Sequence, residues 1–222
     1  MAIPTETVYG LAADAESVAA VHAIFVAKGR PANQPVIVHG RPEWIHRYAG
    51  DWNPTAQQLA EAFWPGPLTL VVAKAAIVPS IVTGDLPSVG LRCPSHPVAI
   101  EVLDRMGRGL AAPSANRYGH VSPTTANHVL DDLDGRISGV IDAGSSTVGL
   151  ESTIVAVDPD GAVRLLRRGG VSIKSIATAL GLASISDGTG GEVQAPGMVK
   201  SHYAPRAPVE ILTSAELEEL VA

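Results

Sequence analysis

The chain has 222 residues, of which 46% are apolar and 17% charged, with a formal net charge of −6 at pH 7. That is enough apolar material for one large domain, or one plus part of another. The acidic balance argues against a surface given over wholly to nucleic acid, although a local basic cleft is compatible with it. The single Cys93 excludes an internal disulfide and an all-cysteine metal site, and fits a reducing compartment. No stretch approaches the roughly 18–20 consecutive apolar residues of a membrane helix, and no charged-then-apolar leader is read at the N-terminus, so a cytoplasmic location without a membrane partner is expected.

Met1-Ala2-Ile3 runs directly into Pro4-Thr5-Glu6-Thr7-Val8-Tyr9-Gly10. This is too short for a well-paired strand unless upstream residues extend it, so the N-terminus is expected to be truncated. Residues 4–11 read as a strand turning into a loop, with Thr5 and Thr7 either facing a ligand or simply suiting a half-buried strand. An amphipathic helix is expected over residues 14–28, capped by Asp14, with Val18, Val21 and Phe25 at helical spacing. Gly29 closes it, Pro31 forbids continuation, and Pro35 leads into a short strand that stops at His39. Lys28, Arg30 and His39 then sit at the mouths of adjacent elements, where open α/β layers bind ligands. The helix dipole alone also favours cations at that end.

A short helix over residues 43–48 and a second over 54–63 follow, the latter with Asn53 as cap and Pro54 at its first position. Trp64 reads as a core lid and residues 68–73 as a buried strand. Residues 74–88 form a loop whose clearest turn is Gly84-Asp85. The strand over 88–94 carries Arg92 near its end, either as a planar fork for a carboxylate or as a solvated side chain beside a turn. Cys93 reads as a small buried hydrophobe and not as a nucleophile. A helix over 97–106 and a strand over 109–112 lead into Pro113-Ser114-Ala115-Asn116. Small residues there permit close approach, and Ser114 and Asn116 can hydrogen-bond a polar group or serve the turn alone.

Ser122 is expected to cap a helix that runs to residue 133. Strands over 139–143, 154–157 and 163–166 come next, the last two joined as a hairpin that ends at Arg167-Arg168-Gly169-Gly170. Ser172 caps a helix to residue 180, after which residues 183–207 are linker-like. A strand over 208–212 and the capping box of Thr213 with Glu216 begin a second domain. The alternation of strand and helix makes the chain α/β (α+β). Cations and hydroxyls arrive at strand ends from distant segments: Lys28, Arg30, Arg92 and Arg167, with Thr7, Ser114 and Ser152. Their convergence would suit a substrate with separate carboxylate and polyphosphate groups. There is no P-loop, Rossmann glycine fingerprint, HExxH or nucleophile elbow, so covalent catalysis is not indicated.

Six segments in order, Pro4-Thr5-Glu6-Thr7-Val8-Tyr9-Gly10-Leu11, Lys28-Gly29-Arg30-Pro31, Gly90-Leu91-Arg92, Ala112-Pro113-Ser114-Ala115-Asn116, Ser122-Pro123-Thr124 and Glu151-Ser152-Thr153-Ile154, closely resemble the motif set of the YrdC-like threonylcarbamoyl-AMP synthases. The resemblance covers roughly residues 3–180. Pro196-Gly197-Met198 with Ser201-His202-Tyr203-Ala204-Pro205 further resembles the linker of the longer, two-domain members. It implies a catalytic domain over residues 1–182, a linker or lid over 183–207 and the start of a truncated C-terminal domain over 208–222. The implied fold is an open twisted mixed sheet flanked by helices, with a large basic cleft.

The implied activity joins L-threonine, bicarbonate and ATP into L-threonylcarbamoyl-AMP and releases pyrophosphate, with Mg²⁺ accompanying ATP. The product would feed a tRNA threonylcarbamoyl-transfer machinery acting at adenosine 37. By the same resemblance, threonine falls to Thr7, His39, Arg92 and Ser152, with Arg92 taking its carboxylate. ATP falls to Lys28, Arg30, Gln34, Ser88, Ser114, Asn116, Ser122, Arg167 and Tyr203, with Lys28 and Arg30 as the catalytic cations and no residue assigned to a metal. Gln34 stands where the family has Asn, and Arg168 where it has proline, which leaves Arg167 or Arg168 to face the nucleotide. The alternative from a different class is a double-stranded RNA or tRNA-binding module using the same basic cleft.

Overall fold

In the computed structural model, residues 1–188 are described. The elements in chain order are β1 (Ala2–Ile3), β2 (Gly10–Leu11), β3 (Ala13–Asp14), α1 (Val18–Lys28), β4 (Ile37–His39), a 3₁₀ turn (Ile45–Tyr48), α2 (Pro54–Phe63) and β5 (Leu68–Ala73). Then come α3 (Ser80–Thr83), β6 (Ser88–Arg92), α4 (Pro97–Met106), β7 (Leu110–Ala111), α5 (Ala126–Leu133), β8 (Thr153–Val157), β9 (Val163–Arg167), α6 (Ile173–Ala179) and β10 (Ser186–Asp187). Eight strands make one mixed sheet in the order β10-β9-β8-β5-β6-β4-β7-β3, and β1 pairs with β2 beside it. From β10 to β7 the parallel pairs β9/β10, β5/β8 and β4/β6 alternate with antiparallel ones, and β3 closes the edge antiparallel to β7.

Local chemistry explains most boundaries. Asn53 Oδ1 accepts from Ala56 N at 3.0 Å to start α2, and Pro97 stands first in α4, where its missing N–H costs nothing. Gly29, at φ 62°, closes α1 in the left-handed conformation that side chains resist. Helix α1 starts later than its pattern suggests. Ser17 is the cap, receiving Ala20 N at 3.3 Å, because Asp14 ends a strand and its carboxylate accepts from Glu16 N instead. Likewise Thr125, not Ser122, caps α5 by accepting from His128 N. Residues 139–143 form no strand; Val140 makes one isolated bridge to Ala2. The 74–88 segment contains the single turn of α3. Residues 189–222, which include Tyr203 and the expected start of a second domain, lie outside the described residues.

The two faces of the sheet differ. Period-two alternation sends Val38, Leu70, Leu91 and Val155 to one face, where they pack with Val21 and Phe25 of α1, Leu59 of α2, Val129 of α5 and Ile176 of α6. The other face carries a smaller buried cluster of Ile37, Val71, Ile154, Ala156 and Leu166. His39, Thr69 and Arg92 share the parity of that second face, so the strands deliver them to the side away from the main core. Parallel register sets His39 directly opposite Arg92.

The approach to Ser152 is set by the turn after β9. A Cβ added to Gly169 would lie 2.3 Å from Glu151 O and 2.5 Å from the Ser152 carbonyl carbon. Gly169→Ala should therefore force the two backbones apart and lower the free energy of unfolding by about 1–3 kcal/mol, measured by urea denaturation, with wild-type stability counting against this packing.

Candidate active site

The residues between β1 and β2 form a fully buried loop, held at both ends by the pairing of Ile3 with Gly10. Within it, Glu6 Oε1 receives Arg92 Nη2 at 2.6 Å, and Glu6 Oε2 receives Ser95 N at 3.1 Å. Their side chains are only 7% and 5% exposed. Arg92 Nη1 donates to Thr7 Oγ1 at 2.8 Å and Nε to Gly66 O at 3.3 Å. The loop is also held from the far side, because Val148 N donates to Glu6 O and Ser146 Oγ to Thr5 O.

A cleft opens against this loop, lined by Thr5, Thr7, Arg30, His39, Arg92, Ser114, Glu151, Ser152 and Arg167, among others. It brings together all four positions expected to hold threonine, namely Thr7, His39, Arg92 and Ser152, and three expected to hold ATP, namely Arg30, Ser114 and Arg167. Ser152 Oγ lies 2.8 Å from Thr69 Oγ1 and accepts from Arg167 Nη2 at 3.1 Å. Arg167 also donates through Nε and Nη2 to Ser152 O. Arg168 instead extends toward Asp187 with a largely exposed side chain. Of the two arginines, Arg167 is the one that faces the cleft.

Five expected residues do not line it. Lys28 is buried, and its ammonium donates to the carbonyls of Ser114 and Asn116, bracing that turn. Burial and the Arg30 cation push its pKa down to about 7, against the pull of Asp132. Asn116 is buried beside it, donating to Arg117 O and His120 O. Gln34 Nε2 donates to Tyr118 Oη at 2.6 Å. The Tyr118 ring lies 5.9 Å from the Arg30 guanidinium carbon, so Gln34 acts on the cleft at one remove. Ser122 Oγ donates to Glu151 Oε1 at 2.5 Å, in the second rank of the wall. Ser88 starts β6, four residues before Arg92 and so about 13 Å away along the strand.

Sequence reasoning assigned no role to Glu6, Thr69 or Glu151. Thr69 left a signal, being the one hydroxyl in the otherwise apolar run Leu68-Thr69-Leu70-Val71-Val72-Ala73. Glu6 left only its place between two threonines. Cys93 is fully buried, and burial pushes its thiol up to about 12, which keeps it an unreactive hydrophobe.

His39 is buried, and burial followed by the Arg92 cation pushes its pKa down to about 3, so it is neutral through the physiological range. An unfolded imidazole takes up its proton near pH 6.5. Between pH 6.5 and 3 the unfolded chain binds a proton that the folded chain refuses. Stability is thus whole above that window and is withdrawn as pH falls through it, by up to about 1.4 kcal/mol per pH unit. His39→Gln should flatten this limb: between pH 7 and 4 its urea midpoint should fall less steeply than that of the unmutated chain. Parallel slopes would show that His39 is not the group responsible.

Comparison with known proteins gives the family and the fold. Residues 1–169 match the Sua5–YciO–YrdC family model, described as telomere recombination, and residues 171–221 match one described as threonylcarbamoyl-AMP synthase, C-terminal domain. The threonylcarbamoyl-AMP synthase of Pyrococcus abyssi is 42% identical over 233 residues, covering 100% of this chain and 68% of that protein. That of Bacillus subtilis is 42% identical over 216 residues, covering 95% of this chain and 62% of that one. The crystal structure of P. abyssi Sua5 complexed with L-threonine superposes with a TM-score of 0.91 at 41% identity, over 99% of this chain and 68% of that chain. The present chain thus spans about two thirds of the length of these proteins. With a family model matched over residues 1–169 and the sheet in common, the chain belongs to the Sua5–YciO–YrdC family.

Proposed function

We propose that the chain makes L-threonylcarbamoyl-AMP from L-threonine, bicarbonate and ATP, releasing pyrophosphate. The observation that carries this reading is the meeting of Thr7, His39, Arg92 and Ser152 in one cleft with Arg30, Ser114 and Arg167. The relatives named for this activity add their support.

In the proposed reaction the neutral threonine amine adds to carbon dioxide, the dehydrated form of bicarbonate, and becomes a carbamate, the proton it loses leaving as water with the hydroxide of dehydration. A carbamate oxygen then attacks the α-phosphorus of ATP, and the bond to the β-phosphate oxygen breaks with pyrophosphate leaving. No protein nucleophile is needed, so catalysis rests on holding three reactants in line and balancing charge. Arg92 has N–H groups beyond those given to Glu6, Thr7 and Gly66, and these take the threonine carboxylate. Ser152 and neutral His39 meet the side chain, and a hydroxyl-specific pocket penalises substrates without that OH. Arg30 and Arg167 receive the phosphates. Lys28 acts by ordering the Ser114 turn, since its ammonium is engaged by two backbone carbonyls.

Among the described residues no group of three or more His, Cys, Asp and Glu side chains could hold a metal ion by itself. The Mg²⁺ of this reading therefore enters with the nucleotide, where it offsets phosphate charge. The product would be consumed by an enzyme that transfers the threonylcarbamoyl group to tRNA.

Pyrophosphate release from ATP should require both bicarbonate and L-threonine, with L-valine slower by about 10⁴-fold because a buried hydroxyl partner is left unpaired. Release independent of threonine, or none at all alongside salt-sensitive binding of double-stranded RNA, would overturn the synthase reading.

A further inference from the structure

The hydroxyl protons of Thr5 and Thr7 have only one consistent arrangement. Thr5 Oγ1 lies 2.6 Å from Val8 O, and a carbonyl can only accept, so the single Thr5 hydroxyl proton is committed there. In the 2.9 Å contact between Thr5 Oγ1 and Thr7 Oγ1, the donor must then be Thr7. Thr7 Oγ1 in turn accepts from Arg92 Nη1 at 2.8 Å. The chain runs one way, from Arg92 to Thr7 to Thr5 to Val8. Thr5 and Thr7 are 2% and 1% exposed, so bulk water does not compete for these partners.

After this accounting Thr7 keeps one lone pair and no proton for a ligand. We propose that Thr5 is a positioning residue that sets the polarity of the amino-acid pocket: by taking the proton of Thr7, it leaves Thr7 able only to accept, beside an Arg92 able only to donate. Resting on the threonine reading above, this pair of opposite sites, side by side, matches an α-amino acid. Its carboxylate meets the Arg92 donors and an N–H of its amine meets the Thr7 lone pair. A ligand that turns an acceptor toward Thr7 meets lone pair against lone pair. Removing the Thr5 hydroxyl frees the Thr7 proton to rotate toward the ligand, where it opposes the amine.

Thr5→Val keeps the shape and removes the acceptor. Measured by calorimetry, its dissociation constant for L-threonine should rise about tenfold or more, the worth of one hydrogen bond at a charged ligand. Its affinity for ATP should change less than about twofold, and Thr5→Ser should restore threonine binding. The loss of a donor to Val8 O is separated by a double-mutant cycle, because polarity acts only through Thr7. In a Thr7→Val background, Thr5→Val should cost nothing further. Additive losses, equal losses of threonine and ATP, or unchanged threonine binding by Thr5→Val would each overturn the proposal while leaving the synthase reading intact. An unmutated chain that binds no threonine would overturn both.

Discussion

The buried contact between Glu6 and Arg92 is the constraint on which the rest of the site depends. Both side chains are almost wholly removed from water, and the desolvation of two charges consumes most of their attraction, so the pair adds little net stability. Its consequence is positional. It fastens a loop with no strand of its own between residues 4 and 9 to the end of β6. Thr5 and Thr7 enter the cleft because that loop is held there, and Arg92 presents its remaining donors because Glu6, Thr7 and Gly66 fix the plane of its guanidinium. Either partner without the other would be a buried charge with no counter-ion, a loss of about 3–5 kcal/mol. Truncating Arg92 would thus damage the loop as well as the proposed carboxylate site, and cannot report on the latter alone.

The sheet then determines what else can reach this point. With the larger apolar core filling one face, the other is left with a five-residue cluster and the polar ends of the central strands. Parallel pairing of β4 with β6 sets His39 against Arg92, and parallel pairing of β5 with β8 brings Thr69 beside Ile154, two residues from Ser152. The hydroxyl-to-hydroxyl contact of Thr69 with Ser152 is therefore a product of strand register, as is the arrival of Arg167 from the end of β9. Residues as far apart in sequence as Thr5 and Arg167 meet because the ends of these strands do.

Legibility followed the punctuation of the chain. The bounds of α2, β5 and α4 could be read because Asn53-Pro54, Gly66-Pro67 and Pro97 each restrict the backbone at one position. Where two residues could do the same local task, the choice was made by contacts far away. Asp14 and Ser17 can both cap a helix, but pairing of Ala13–Asp14 with β7 removed Asp14 from contention. Ser122 and Thr125 can both cap α5, and the Ser122 hydroxyl is engaged by Glu151. Residues 139–143 have strand composition and found no strand to pair with beyond one bridge. The motif residues disclosed Thr7, Arg30, Arg92, Ser114 and Ser152 of the cleft. They did not disclose that Lys28 points into a backbone turn, nor that an acid between two threonines neutralises the arginine, since both are facts of burial.

Charge is unevenly spread along the cleft, and this bears on how two unlike substrates could share it. At the Arg92 end the guanidinium is matched by Glu6, and His39 is neutral, so the local charge is close to zero. An amino acid that is itself a zwitterion needs placed donors and acceptors there more than it needs net charge. Arg30 and Arg167 also line the wall, Arg167 held against Ser152, with Glu151 engaged by the Ser122 hydroxyl. Polyphosphate carries several negative charges and gains most from cations whose geometry is already fixed. A nucleotide that slid toward Arg92 would meet a guanidinium already matched by Glu6 and the lone pair of Thr7. Under the proposed activity, the acid between the two threonines therefore does two things at once: it holds the arginine, and it cancels the charge that would otherwise draw the triphosphate to the amino-acid end.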